Sequence, residues 1–204
     1  MIVVVDLGMG NLGSILNMLK KIGVQAVISS KPEEIAMAEK LILPGVGIFD
    51  VGMRSINDLG ILPALHKKVV VDKVPILGIC LGMQLFTKGS EEGTMPGLGW
   101  IDAMTIRFNF LAEQRLKVPH MGWNSVVLTK KSRLFEMMEA DARFYFVHSY
   151  HLVCADQTCA VAKTMYGYDF VSAIEQANIL GTQFHPEKSH KFGMRVLKNF
   201  AELY

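Results

Sequence analysis

"PILGICLGMQLF", residues Pro75 to Phe86, decides how this chain folds. It begins as an apolar run, the pattern of a strand covered on both faces. After Cys80 it changes to a short amphipathic segment with helical spacing. At the switch the cysteine stands between two glycines, Gly78 and Gly82, as Gly-x-Cys-x-Gly. A nucleophile held on a sharp strand-to-helix turn needs small neighbours two residues away, because larger ones collide. Its sulfur would face the positive end of the helix, which favours thiolate. The competing reading is a small buried hydrophobe in a tight turn. The glycines and the strand–helix switch favour a presented sulfur.

Upstream, strand and helix alternate. "IVVVD" (Ile2–Asp6) is a strand, and "LGSILNMLKKIG" carries Leu12, Ile15, Leu16 and Leu19 at helical spacing and stops at Gly23. "VQAVIS" is a second strand, and "KPEEIAMA" opens a helix with Pro32 and two glutamates in its first turn. "KLILP" is a third strand, a glycine-rich loop and a helical region at 62–71 follow, and "VPILGI" and "LGMQLFTK" supply the fourth strand and helix. Doubly buried strands alternating with helices imply a parallel sheet covered on both sides.

Downstream, from about Asp102 to Thr182, short β-rich stretches dominate: "AMTIRF", "SVVL", "ARFYFVHSYHLVC", "CAVAKTM", "FVSAIEQ" and "NILGTQF". "KKSRLFEMMEA" is expected to interrupt them as a helix, and "GMRVLKNFAELY" to close the chain as another. With no repeat, low-complexity tract or linker, the expected class is α/β. We expect one domain over residues 1–204, built on a mixed, mostly parallel sheet with helices on both faces and a β-rich second half.

Composition narrows the function. The net charge is +2 and no Lys/Arg cluster exceeds a pair, so nucleic acid is not the expected partner. No apolar run approaches the ~18–20 residues that span a bilayer, and no membrane association is expected. "MIVVVD" lacks a basic leader and reads as a buried strand. Three cysteines without an export signal point to reduced thiols in the cytoplasm.

Three further stretches could carry chemistry. "GTQFHPEKSH" (Gly181 to His190) brings His185 on a strand, with Glu187 two residues later. If the chain stays extended, as Pro186 encourages for its predecessor, the two project to similar sides. A carboxylate orienting an imidazole base would then complete a Cys80–His185–Glu187 triad. "PGVG" (Pro44 to Gly47) follows a strand near the elbow, so backbone N–H groups of that loop could join that of Leu81 in an oxyanion hole. "DLGMGNLG" places Gly8, Gly10 and Gly13 as G-x-G-x-x-G between strand and helix, which keeps a nucleotide-binding module as a rival class. The second strand, however, has no acid at its tip to hold a ribose. His148, His151, Cys154 and Cys159 lie close in sequence, but their spacing fits no zinc pattern, and no metal is expected.

"GICLGMQLF", "GTQFHPEKS" and "LPGVG" together resemble the class I, triad-type glutamine amidotransferases, over essentially the whole chain. The resemblance implies that Cys80 attacks the side-chain amide of L-glutamine, with His185 as base and Glu187 as its orienting group, and that no cofactor takes part. It also implies that Gly47, Gln84 and Glu92 hold the substrate, helped by backbone at His148, Ser149 and Tyr150, and that the oxyanion donor of the loop lies in the Val46 region. "PHMGWN" is similar to one branch of the family, glutaminase subunits that pass ammonia to a separate (β/α)₈ cyclase subunit in histidine biosynthesis. That likeness implies a heterodimer docked through exposed loops at Gly8–Asn11, Gly45–Gly47, His120–Asn124 (Met121 and Trp123 among them) and Lys188. Leu7 stands where the family commonly has an aromatic, and "RFNFLAEQRLKVPHMGWN" and "LGWIDA" look more like copies in surface-polysaccharide gene sets. In those the ammonia would amidinate a sugar. A cysteine hydrolase on the same fold is a further alternative.

Overall fold

The computed structural model describes residues 1–204. The chain enters on β1 (Ile2–Val5), turns into α1 (Leu12–Lys21), and continues through β2 (Ala26–Ser29), α2 (Pro32–Ala36) and β3 (Lys40–Gly45). Helices α3 (Phe49–Asp58) and α4 (Leu62–His66), the latter running on into one π turn, lead to β4 (Ile76–Cys80) and the single turn α5 (Leu81–Gln84). The four strands are parallel in the order β2-β1-β3-β4. All of β1 and nearly all of β3 are buried, because period-two alternation sends side chains to two cores. Val3, Val5, Leu41 and Leu43 pack with Phe49, Ile56 and Leu65 on one face. Ile2, Val4, Ile42 and Leu77 pack with Ile15 and Leu19 on the other, where helix α6 (described below) adds Val196 and Phe200.

The second half supplies β5 (Ala103–Arg107), β6 (His120–Ser125), β7 (Val127–Leu128), β8 (Arg143–His148), β9 (Tyr150–Cys154), β10 (Ala160–Tyr166), β11 (Tyr168–Gln176), β12 (Ile179–Thr182) and the final α6 (His190–Leu203). β12 returns parallel to β4, with Gly181 opposite Gly78 and Thr182 opposite Ile79. From β12 the sheet extends antiparallel through β11 and β10 to β7, while β9 joins β11 and β5. β6 and β8 form a separate antiparallel pair. The sheet is therefore mixed, with five of its ten strands (β2, β1, β3, β4, β12) in the parallel set, so "mostly parallel" describes the first half and not the whole.

Several local expectations need correction. The glycine-rich stretch after β3 contains α3, whose Gly52 lets the helix lie close on α5: a Cβ there would meet Leu85 Cδ1 at 3.1 Å. "KKSRLFEMMEA" is not a helix but a single 3-10 turn, Arg133–Phe135, because Met137 takes φ +56°. "LGMQLFTK" is helical only over Leu81–Gln84. "ARFYFVHSYHLVC" is two strands in two sheets, broken at Ser149. His120–Asn124 is no loop: it lies in β6, with Met121 and Trp123 on its exposed side.

Candidate active site

β4 ends in Cys80, whose backbone adopts φ +54° and ψ −110°, a conformation of high cost for a residue with a side chain. The flanking glycines make it possible. A Cβ on Gly82 would sit 1.7 Å from the carbonyl oxygen of Leu43, and one on Gly78 would sit 2.6 Å from Phe86 and 2.7 Å from Met83. The turn can exist only with both, which is the packing an elbow demands. Cys80 opens onto a cavity of about 280 Å³ lined by Val46, Gly47, Leu81, Gln84, Glu92, Pro119, Val147, His148, Ser149 and Tyr150. That lies just under the ~300–1,000 Å³ of drug-sized ligand sites, and suits one amino acid.

His185 arrives from the segment after β12. Its N–H bonds to the carbonyl of Tyr145 at 2.9 Å, and its own carbonyl accepts from Ser189 Oγ at 2.6 Å. The chain does not stay extended beyond it. Pro186–Lys188 forms a 3-10 turn, and that turn, not strand alternation, brings Glu187 back. His185 Nδ1–H donates to Glu187 Oε1 at 2.8 Å, with both side chains almost wholly buried. Burial alone would lower the imidazole pKa. The negative charge and hydrogen-bonding capacity of Cys80, then those of Glu187, outweigh it and raise His185 to about 10. Nε2 is buried and has no partner at hydrogen-bond geometry, so Cys80 acts on the ring chiefly through its charge.

The cavity walls are themselves ordered. Gln84 Nε2 donates to the Tyr150 carbonyl and to Gln183 Oε1, each at 3.1 Å, leaving its own Oε1 as the free acceptor. Glu92 Oε2 accepts from the N–H of Phe49 at 2.8 Å at the start of α3. Burial raises its pKa against that bond. Asp50 holds the same loop through the N–H groups of Thr94 and Met95, both at 3.0 Å. Val46 and Gly47 are exposed beyond β3, and Gly47 has φ +116°, in the region that favours glycine.

Two residues that sequence reasoning missed stand behind these. Gln183 is fully buried, with Nε2 3.6 Å from Cys80 Sγ. Its signal was its place beside His185 in the sequence, directly after β12, the neighbour of the strand that carries Cys80. His120 belongs to a relay whose tautomers follow from its ends. The Tyr150 carbonyl can only accept, so His148 Nδ1–H donates to it at 2.7 Å. His148 Nε2 then accepts from His120 Nδ1–H at 3.0 Å, and His120 Nε2 accepts from Asn124 at 3.3 Å. Burial lowers both imidazoles, His120 to about 4, so the pair is neutral as the relay requires.

The remaining candidates lie apart. Asn11 stands exposed at the N-cap position of α1, with no capping bond from its side chain. Trp123 stacks on His190 with ring centres 5.3 Å apart, and Lys188 lies 5.6 Å over the Tyr145 ring, so these form one exposed patch with Met121. Gly8, Gly10 and Gly13 make the turn from β1 into α1, with a Cβ on Gly10 lying 3.8 Å from Pro44. His151 bonds to the Tyr168 hydroxyl at 2.9 Å, Cys154 and Cys159 are free, and no group of three His, Cys, Asp or Glu is arranged to hold a metal ion. No helix is long and apolar enough to cross a membrane.

Cys80, on its strained elbow, thus stands beside a buried imidazole–carboxylate pair at the edge of a cavity sized for one amino acid. The family Glutamine amidotransferase class-I matches residues 3–203, and the chain belongs to it. Within that class it is similar to imidazole glycerol phosphate synthase subunit HisH 2 of Methanococcus maripaludis, 52% identical over 99% of each chain. It is likewise similar to subunit HisH 2 of Pseudomonas aeruginosa, 48% identical over 100% of each. Among solved structures it shares the fold of a glutamine amidotransferase crystal structure, with a TM-score of 0.71, 22% identity, and coverage of 98% of this chain and 97% of that one. PurLQS from Thermotoga maritima has the same fold, with a TM-score of 0.69, 16% identity, and coverage of 98% and 96%.

Proposed function

We propose that this chain is the glutaminase subunit of an imidazole glycerol phosphate synthase, hydrolysing L-glutamine and passing the ammonia to a (β/α)₈ cyclase subunit for histidine biosynthesis. The observation that carries the chemistry is the cavity-lining Cys80 beside the buried His185–Glu187 pair, near enough for its charge to raise the imidazole. Cys80 Sγ attacks the side-chain amide carbon as the thiolate, its proton already held on His185 Nε2, the nitrogen left free by Glu187. The oxyanion is met by backbone N–H groups at Val46 and Leu81. His185 then gives the proton to the departing nitrogen, releasing ammonia and leaving a thioester on Cys80. Water, deprotonated by the same imidazole, hydrolyses the thioester to glutamate and restores the thiol. The free Oε1 of Gln84 and the carboxylate of Glu92 suit the substrate's α-ammonium, and the backbone of Gly47 and of His148 to Tyr150 borders the same cavity. No cofactor is required.

The exposed patch of Met121, Trp123 and Lys188, with Asn11, is the surface we assign to the cyclase in a heterodimer. Both the cytoplasmic setting and the absence of nucleic acid from the reaction belong to this reading. The test is glutamate release with and without the cyclase and its nucleotide ligand. A slow basal rate that rises on assembly is expected, and equal rates would refute the coupling. Labelling of Cys80 by a glutamine-like diazo-ketone, with no binding of NAD(P) or ATP at Gly8–Gly13, separates this reading from a nucleotide module. Failure to cleave peptides separates it from a cysteine hydrolase.

A second destination for the ammonia, amidination of a surface-polysaccharide sugar, draws support from the numeral 2 in the names of both relatives quoted above, as second copies would carry. Rescue of a histidine auxotroph lacking its own glutaminase subunit distinguishes the two: growth supports the histidine pathway, and its absence supports the sugar.

A further inference from the structure

Gln183 has a side chain with no exposure, in a position where an apolar residue would be the simpler filling. Its amide makes two contacts. Oε1 accepts from Gln84 Nε2 at 3.1 Å, and Nε2 donates toward Cys80 Sγ at 3.6 Å. Neither end is free to turn over. Gln84 has its other N–H on the Tyr150 carbonyl at 3.1 Å, and that carbonyl also accepts from His148 at 2.7 Å. Turning the Gln84 amide would set its oxygen against the Tyr150 oxygen. Gln84 is thus obliged to present an N–H to Gln183, which must answer with its oxygen and leave its own N–H aimed at the sulfur.

The rest of the sulfur's surroundings give this donor weight. The nearest backbone acceptor, the Val147 carbonyl, is 4.0 Å away, a poor partner for a thiol proton. A thiolate, by contrast, gains an amide N–H, and hydrogen bonds to an ionised acceptor are the stronger kind. The titratable groups facing the sulfur are His185, backed by Glu187, with His148 and Glu92 across the cavity.

We propose that Gln183 is a positioning residue for the nucleophile: its N–H, locked in direction by Gln84, holds Cys80 Sγ as the thiolate on the elbow, ready for attack. This rests on the reading of Cys80 as the attacking group. Through the Tyr150 carbonyl, the lock is continuous with the His148–His120–Asn124 relay, and so with strand β6.

The pH dependence of Cys80 alkylation by iodoacetamide, followed by mass spectrometry of its peptide, tests this. Gln183→Met keeps the length and removes the donor. The alkylation midpoint should rise by about one pH unit, equivalent to about tenfold in thiolate fraction at a pH below the midpoint. In the assembled enzyme kcat should fall by about tenfold with KM within about twofold, the pattern of a contact made to the reacting group and not to substrate. Gln183→Glu, a near-isostere that sets a carboxylate against the sulfur, should shift the midpoint further. A filler role predicts a lower melting temperature with the midpoint in place, and that result would overturn the proposal. Should the position 183 variants fail to fold, Gln84→Met releases the lock with Gln183 intact. A shifted midpoint then supports the inference and an unmoved one refutes it. If alkylating Cys80 in the parent enzyme leaves glutaminase activity intact, the functional reading itself falls, a failure distinct from that of the variants.

Discussion

The parallel half of the molecule and its antiparallel half make their contributions to the site by different physical means. In the parallel half, a strand buried on both faces delivers one sulfur on a strained backbone, and the surroundings are glycines and aliphatic groups that tolerate no extra atom. In the antiparallel half, histidines and backbone carbonyls are ordered by hydrogen bonds whose directions can be read link by link, reaching Gln84 of α5 through the Tyr150 carbonyl. Strain prepares the nucleophile, whereas directed donors prepare the pocket and the base. Sterics should therefore govern variants of the first region, and charge and pH those of the second.

The largest effect should come from the sulfur itself. Cys80→Ala is expected to lower glutamate release by more than about 10³-fold in the assembled enzyme while the protein stays folded, since removing the nucleophile leaves only binding and oxyanion contacts. Gly82→Ala tests the steric half of the contrast. With a Cβ 1.7 Å from the Leu43 oxygen, the elbow cannot close, and a loss of about 3 kcal/mol or more is expected in urea unfolding. A stable, active Gly82→Ala protein would break the comparison. Glu187→Gln probes the other half. It preserves shape and removes the charge behind the imidazole, so kcat should drop by about 10²-fold with little change in melting temperature.

The histidines sharpen the contrast through pH. His185 is raised from 6.5 to about 10, so its contribution to stability is complete below pH 6.5 and lost as pH climbs toward 10. His120 is lowered from 6.5 to about 4, so its contribution is complete above pH 6.5 and lost as pH falls toward 4. Urea midpoints measured across this range should fall at both ends. Cys80→Ala should flatten the alkaline limb, and His120→Phe the acid limb. The smallest effect is expected from Asp50→Ala, which frees the N–H groups of Thr94 and Met95 and loosens the loop carrying Glu92. That should lower the urea midpoint slightly and raise KM by a few-fold.

Legibility in the sequence follows the same divide. The apolar runs of β1, β3 and β4 announce themselves because burial on both faces leaves no polar residue to confuse the period. Gly-x-Cys-x-Gly carries its steric meaning in the letters. Helix α3 was hidden by Gly52, a poor helix former present because Leu85 leaves no room for more. The Ser149 break was hidden for another reason: β8 and β9 are equally β-prone, and only the pairing partners, β6 for one and β5 with β11 for the other, send them to different sheets. Glu187 was found through an expected extension that the chain does not keep. What counted was its distance from His185 in sequence, which a 3-10 turn serves equally well.

The register of β12 against β4 has one further consequence. The strand bearing the thiol and the strand that leads to the imidazole are neighbours in one ladder, held at the interstrand repeat of ~4.8 Å. His185, beyond the end of β12, is fixed from the other side by the Tyr145 carbonyl of β8. A ladder in the middle of a sheet is among the stiffest distances a protein can offer. Regions that touch neither this ladder nor β8 can drift, accept substitutions or rearrange against a docked subunit with little effect on the gap between sulfur and ring.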